Sequence, residues 1–295
     1  MSVRASLSFS EVLRNIFFII IILQIAPPMI QSLIKYYKYL LEQRTQIGVV
    51  KISGVLYDSS VIAKQFEKFF TNKNIKAILV RMECPGTASG TAQAIFEDIR
   101  ELKRENPKPV IVLVENVCAS GGYYISCAAD HIIAPGSAII GSIGTTLPYL
   151  FNVKELLEQF KVKYVPITAG EFKNVANPFV DMSAKEKELL QGVANDSYDQ
   201  FITDVSVARN LPLAGATQWA DGKVFTARQA LKFNLIDELG GFEHAVKALR
   251  KKAMFEGKID WVYPPTQSKW WNFFAGRQDN EQDVLLSSMI HTICS

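Results

Sequence analysis

The apolar positions of the chain fall into two regimes. From Asn15 to Ile34 the run NIFFIIIILQIAPPMIQSLI carries no charge, and its IFFIIII core is apolar on every helical face. That approaches the ~20 apolar residues with which a helix crosses a bilayer. The pattern predicts a transmembrane anchor over 15–34, after a short segment 1–14 and before a polar joint 35–46 around LLEQRTQ. A cleaved signal peptide is disfavoured because no clean small-x-small site follows the apolar core. A buried core helix is disfavoured because the run precedes the first domain-like pattern. Pro27 and Pro28 lie inside it. Proline lacks the amide hydrogen and restricts its predecessor, so a kink or an end is expected there.

Past residue 46, short Val/Ile-rich runs alternate with stretches of helical spacing. Strands are expected over IGVVKISG (47–54), KAILVRM (76–82), PVIVLVEN (109–116), HIIAPGSAII (131–140) and VKYVPIT (162–168). Helices are expected over SSVIAKQFEKFF (59–70), TAQAIFEDIRELKRE (91–105), VKELLEQF (153–160) and Met182 to Arg209. Ser183 and Glu186 give the last of these a capping-box start. Strand and helix in turn imply an α/β body over 47–254, with parallel strands covered by helices. Residues 255–295 lose the alternation and read as a tail. Its KWWNFF cluster (269–274) suits either a membrane interface or packing on the body.

Composition narrows the function. The chain of 295 residues is long enough for one catalytic-sized domain with appendages. Lys plus Arg number 32 against 29 Asp plus Glu, and no basic stripe interleaves with aromatics, so nucleic acid is not the expected partner. Cys84, Cys118, Cys127 and Cys294 form no CxxC pair and no disulfide framework; they read as small buried hydrophobes, and neither metal nor cofactor is expected. Arg4 and Arg14 before the apolar run, and Lys35, Lys38 and Arg44 after it, leave orientation open.

The chemistry concentrates in VENVCASGGYYISCAADHI (114–132). Ser120 stands between a strand-like run and a small-residue helix, where a hydroxyl is exposed and the Gly121 amide points to where an acyl oxyanion would form. The same position suits a plain N-cap serine. GxSxG is absent because residue 118 is Cys, and none of His131, His244 and His291 sits in a polar loop fit for a catalytic base. A lysine can replace histidine only if desolvation brings it toward neutrality. Lys173, in TAGEFKNVANPF (168–179) with Phe172, Val175 and Ala176 around it, is the candidate.

Four stretches in this order, ASGGYYISCAADHI, GSIGTT, GEFKNVANPF and DGKVFTARQALKFNLIDELGG, resemble the signal peptide peptidase A family of membrane-bound serine proteases over about residues 47–250. The resemblance implies a ClpP/crotonase-like parallel β-α spiral, a homo-oligomer, and a serine–lysine dyad. Matched motif to motif, Ser120 is the nucleophile, Lys173 the general base, and Ser142 the hydroxyl that orients the amine. The oxyanion donors would be Gly121 with Gly86 or Thr87 from CPGTASG. The family usually has SPGG in this loop. A positive φ at Thr87 would therefore cost about 1–3 kcal/mol, whereas a negative φ leaves its amide an equal donor. The resemblance further implies single-pass anchoring in the cytoplasmic membrane with the catalytic body on its outer side. The substrates would be signal peptides and other hydrophobic segments, bound as an added strand. Two other readings stand beside it: an acyl-CoA enzyme of crotonase type, and a catalytically impaired scaffold whose only support is Thr87.

Overall fold

The structure, a computed structural model, describes residues 9–147 and 150–265. The first element, α1 (Phe9–Leu41), includes an exposed span, Leu13–Lys38, of 26 residues, long and apolar enough to cross a membrane. It contains Pro27 and Pro28 and continues past both, so the helix does not end at the prolines. Two prolines remove two amide donors and crowd the preceding turn, yet the helix resumes beyond them as far as Leu41. Residues 35–41 are helical, and only Glu42 and Gln43 separate α1 from the first strand.

The body alternates as the pattern predicts: β1 (Arg44–Ser53), α2 (Ser60–Thr71), β2 (Ile75–Cys84), α3 (Ser89–Glu105), β3 (Val110–Ala119) and α4 (Gly121–Ser126). The stretch 131–140, read as one strand, is two, β4 (His131–Ala134) and β5 (Ile139–Gly141), because Pro135 and Gly136 open a turn between them. After α5 (Lys154–Gln159), the long α6 (Ala184–Arg209) starts at the expected capping box of Ser183 and Glu186. The remaining elements are β6 (Val224–Thr226), α7 (Ala227–Lys232), β7 (Glu238–Leu239), α8 (Phe242–Ala253) and β8 (Lys258–Val262). Residues 162–168 form no strand: they join no ladder among the described residues, and Ile167 is 97% exposed. Within the stretch read as tail, Lys258–Val262 pair with β1 as an edge strand. The KWWNFF cluster, His291 and Cys294 lie outside the described residues.

The sheet runs β6-β5-β3-β2-β1-β8, parallel except for the β5–β6 pair. Both of its faces are buried, which explains the near-continuous apolar runs. Ala77 and Leu79 of β2 and Ile111 and Leu113 of β3 pack with Ala245, Ala248 and Leu249 of α8. Their alternates Ile78, Val80, Val112 and Val114 join the larger core under α2, α3 and α4. This is an α/β fold with a mostly parallel sheet. Strand β3 pairs with β4 through Ile111–Leu113 and then with β5 through Val117–Ala119. The sheet divides along it, and its final residue delivers the chain to Ser120.

Candidate active site

Ser120 sits immediately past β3 with φ 51° and ψ −125°. A positive φ is costly for a side-chain-bearing residue, about 1–3 kcal/mol, and persists only when the surroundings enforce it. Here the Ser120 amide donates to Gly141 O at 2.7 Å, and its carbonyl accepts the Tyr124 amide at 3.0 Å. Its hydroxyl caps no amide of α4. The plain N-cap explanation therefore does not account for the serine.

Gly121 is required by proximity. A Cβ there would stand 2.0 Å from Thr87 Oγ1 and 3.0 Å from the Thr87 amide nitrogen, so the two residues meet face to face. A Cβ on Gly86 would lie 3.9 Å from Ser120 Oγ. Thr87 is not among the residues with positive φ, so the strain considered for it does not arise. That removes the one observation favouring an impaired scaffold. The loop is held by a bridge between Thr87 and Leu56 and by the Ala88 amide on Leu56 O at 3.0 Å.

Ser142 reaches the same place through pairing. Ala119 of β3 is opposite Gly141 of β5, so Ser120 and Ser142 each stand one residue beyond a matched pair. Ser142 also has positive φ, 50°, and its amide donates to Lys223 O at 2.8 Å. A cleft of about 450 Å³ is lined by Ser120, Ser142, Thr87 and Ser89, with Tyr198 and Asp221 across it. A smaller cavity of about 130 Å³ adjoins Ser120 on the side of α3 and α6.

Lys173 is not brought to this cleft. It is exposed in the turn 171–176, its amide donating to Gly170 O at 3.2 Å, and it lines neither cavity. Its segment leaves Phe151, Phe160, Val165 and Ile167 exposed. The structure thus groups Ser120, Gly121, Thr87, Gly86 and Ser142, and holds Lys173 apart from them. Among the described residues no histidine lines the cleft: His131 lies 3.1 Å from Glu238 Oε2, and His244 belongs to α8.

Two features escaped the sequence. Asp221, on the cleft wall, has its carboxyl held below the usual range by Lys223, whose Nζ is 2.9 Å away. The Tyr124 hydroxyl donates to Asp204 of α6, and burial followed by that carboxylate pushes the phenol well up. Asp204 and Tyr198 are spaced like any solvated helix face. Only the DGK turn around Asp221 carried a signal. Cys84, Cys118 and Cys127 are buried free thiols, raised by burial, so they pack as hydrophobes.

Residues 102–256, more than half of the chain, match peptidase family S49. A Synechocystis protein provisionally named a protease is 32% identical over 204 residues, covering 68% of this chain and 72% of the relative. An Enterococcus faecium protein provisionally named signal peptide peptidase SppA is 29% identical over 196 residues, 66% of this chain and 56% of its own length. The chloroplastic serine protease SPPA of Arabidopsis thaliana is 28% identical over 224 residues, 71% of this chain and 33% of its own. The chain thus spans only part of the length of these relatives. With the strained serine and the order of its motifs, these matches establish that the chain belongs to peptidase family S49.

Proposed function

We propose that this chain is a membrane-anchored serine endopeptidase in which Ser120 is the nucleophile and Lys173 the general base. The observation that carries the proposal is the backbone of Ser120: a positive φ, a hydroxyl that caps nothing, and a cleft in front of it. Ser120 Oγ attacks the substrate carbonyl carbon while its proton passes to Lys173 Nζ. The carbonyl oxygen, now an oxyanion, receives hydrogen bonds from the Gly121 and Thr87 amides. Collapse breaks the C–N bond, the lysine returns its proton to the leaving amine, and water then hydrolyses the acyl-enzyme. Ser142 orients the amine.

A lysine accepts a proton only when desolvated, and Lys173 is exposed. The proposal therefore includes assembly of copies through the exposed apolar segment 150–167, which desolvates Lys173 and brings it to a Ser120. Signal peptides and other hydrophobic segments, bound extended along the cleft, are the proposed substrates. The helix α1 supports a membrane anchor; the cytoplasmic membrane, with the body on its outer side, is the proposed location.

The test is labelling by a serine-reactive phosphonate together with peptide hydrolysis by the full chain in detergent. Wild type labels at Ser120 and cleaves; Ser120→Ala and Lys173→Ala are folded and inactive. Retained hydrolysis by either variant removes the dyad. Membrane retention after alkaline extraction tests the anchor.

A further inference from the structure

The cavity of about 130 Å³ beside Ser120 has a composition that its neighbouring cleft lacks. Asp221 lines the cleft, but among the described residues no charged one lines the cavity. Its floor is aromatic: Tyr124 stacks on Phe201 with centroids 4.5 Å apart and planes 13° apart, and Ala92 is buried beside them. Ser120 and Gly121 are part of its lining. Its wall carries two amides, Gln93 from α3 and Gln200 from α6. Gln93 Nε2 donates to Gln200 Oε1 at 2.9 Å, and Gln200 Nε2 donates in turn to Asp196 Oδ2 at 2.8 Å. The amide bridge spans two helices that the chain separates by 107 positions. The carboxylate nearest the floor, Asp204, is engaged by the Tyr124 hydroxyl.

We infer that Gln93 and Gln200 are specificity-determining residues of this peptidase. The cavity receives the side chain of the residue that supplies the scissile carbonyl, and the bridge between the two amides sets how large that side chain can be. This rests on Ser120 being the nucleophile, since only then does the cavity adjoin the scissile bond.

Size and charge fix the substrate class. An apolar protein cavity of ~150 Å³ takes up benzene, so about 130 Å³ accepts aliphatic side chains, holds a phenyl ring at its limit and excludes an indole. A charged side chain would be desolvated without a counter-ion, which a wall of neutral amides and hydroxyls does not offset. The preferred residue is therefore uncharged and of aliphatic size.

The experiment uses the full chain in detergent and a peptide series in which that one residue is Ala, Leu, Phe, Trp, Glu or Lys. For wild type, kcat/KM for Ala and Leu exceeds that for Trp, Glu and Lys by at least about tenfold, within the ~10–200-fold span that a pocket's fit to size provides. Gln93→Ala and Gln200→Ala, singly and together, raise the ratio of kcat/KM for Trp to that for Ala about tenfold over wild type. Gln200→Lys raises cleavage after Glu. Gln200 is exposed on α6, so its variants fold even if those of Gln93 do not. Profiles of the Gln200 variants that superimpose on wild type overturn the inference. Ser120→Ala in parallel separates the two levels. Hydrolysis surviving in it sinks the nucleophile assignment, whereas hydrolysis lost in it with unchanged Gln200 profiles sinks the cavity assignment alone.

Discussion

Gly121→Ala is the substitution to which the proposed oxyanion site is most sensitive. The added methyl would stand 2.0 Å from Thr87 Oγ1, 2.9 Å from Thr87 Cβ and 3.0 Å from the Thr87 amide nitrogen. Carbon contacts are comfortable at ~3.5–4.0 Å, so relief requires a displacement of roughly 1.5 Å. The Thr87 hydroxyl is tied to Ala88 O at 2.9 Å, and the loop to Leu56, so the displacement falls on the loop as well as on the rotamer. Overpacking of this kind costs about 1–3 kcal/mol. At ~2–4 °C per kcal/mol for a body of this size, the melting temperature should fall by about 2–12 °C. The larger effect is on rate: an amide moved away from the oxyanion is a lost donor, worth ~10²–10³ in kcat. Adding Thr87→Gly removes the two side-chain contacts and leaves only the 3.0 Å approach to the amide nitrogen. The double variant should therefore recover most of the stability and part of the rate, a coupling expected of residues in contact. Thermal melts and kcat on one peptide, with phosphonate titration to count sites, measure both effects. A Gly121→Ala enzyme with wild-type melting temperature and kcat within about threefold of wild type would refute the geometry argued for Gly121 and Thr87.

Two further outcomes follow from the structure. Ser120→Gly should abolish hydrolysis and yet stabilise the fold by up to about 2 kcal/mol, because glycine adopts φ 51° without strain while losing some chain entropy; a destabilised variant in chemical denaturation would count against the strain. Burial alone would raise the Asp237 carboxyl. The Arg209 guanidinium, at 2.9 and 3.0 Å, and the Ile132 amide, at 2.7 Å, hold it below its ordinary value instead. Its contribution to stability is therefore complete above the unfolded value of ~3.9 and is lost as pH falls through the lowered folded value. The melting-temperature gap between wild type and Asp237→Asn should shrink between pH 7 and the acid limb, and a gap that widens would reverse the sign.

The sheet was legible because β1, β2 and β3 are buried on both faces, which leaves continuous Val/Ile runs in the sequence. Residues 162–168 carry the same residue types without the burial. Val and Ile there are exposed, and nothing local in VKYVPIT distinguishes a covered strand from an uncovered loop. Lys258–Val262 was hidden for the opposite reason: one exposed and four half-buried residues at an edge show no alternation that would stand out from a tail. At the site, Ser120 and Ser142 could be listed from their motifs, but their adjacency comes from the Ala119–Gly141 pairing across two strands. The amide bridge between Gln93 and Gln200, 107 positions apart, leaves no periodic trace at all.

The junction between α1 and β1 has a mechanical meaning. Glu42 bonds Arg44 at 2.7 Å and Lys258 at 2.6 Å, Arg44 bonds Asp260 at 2.8 Å, and Gln43 O accepts the Lys258 amide at 3.1 Å. Two residues clasped on both sides leave no slack. With α1 in a bilayer and Ser120 as the nucleophile, as proposed, such a joint would act as a ruler rather than a leash: the serine would work at one height above the lipid, and a peptide bond would be chosen by how far it protrudes as much as by its sequence.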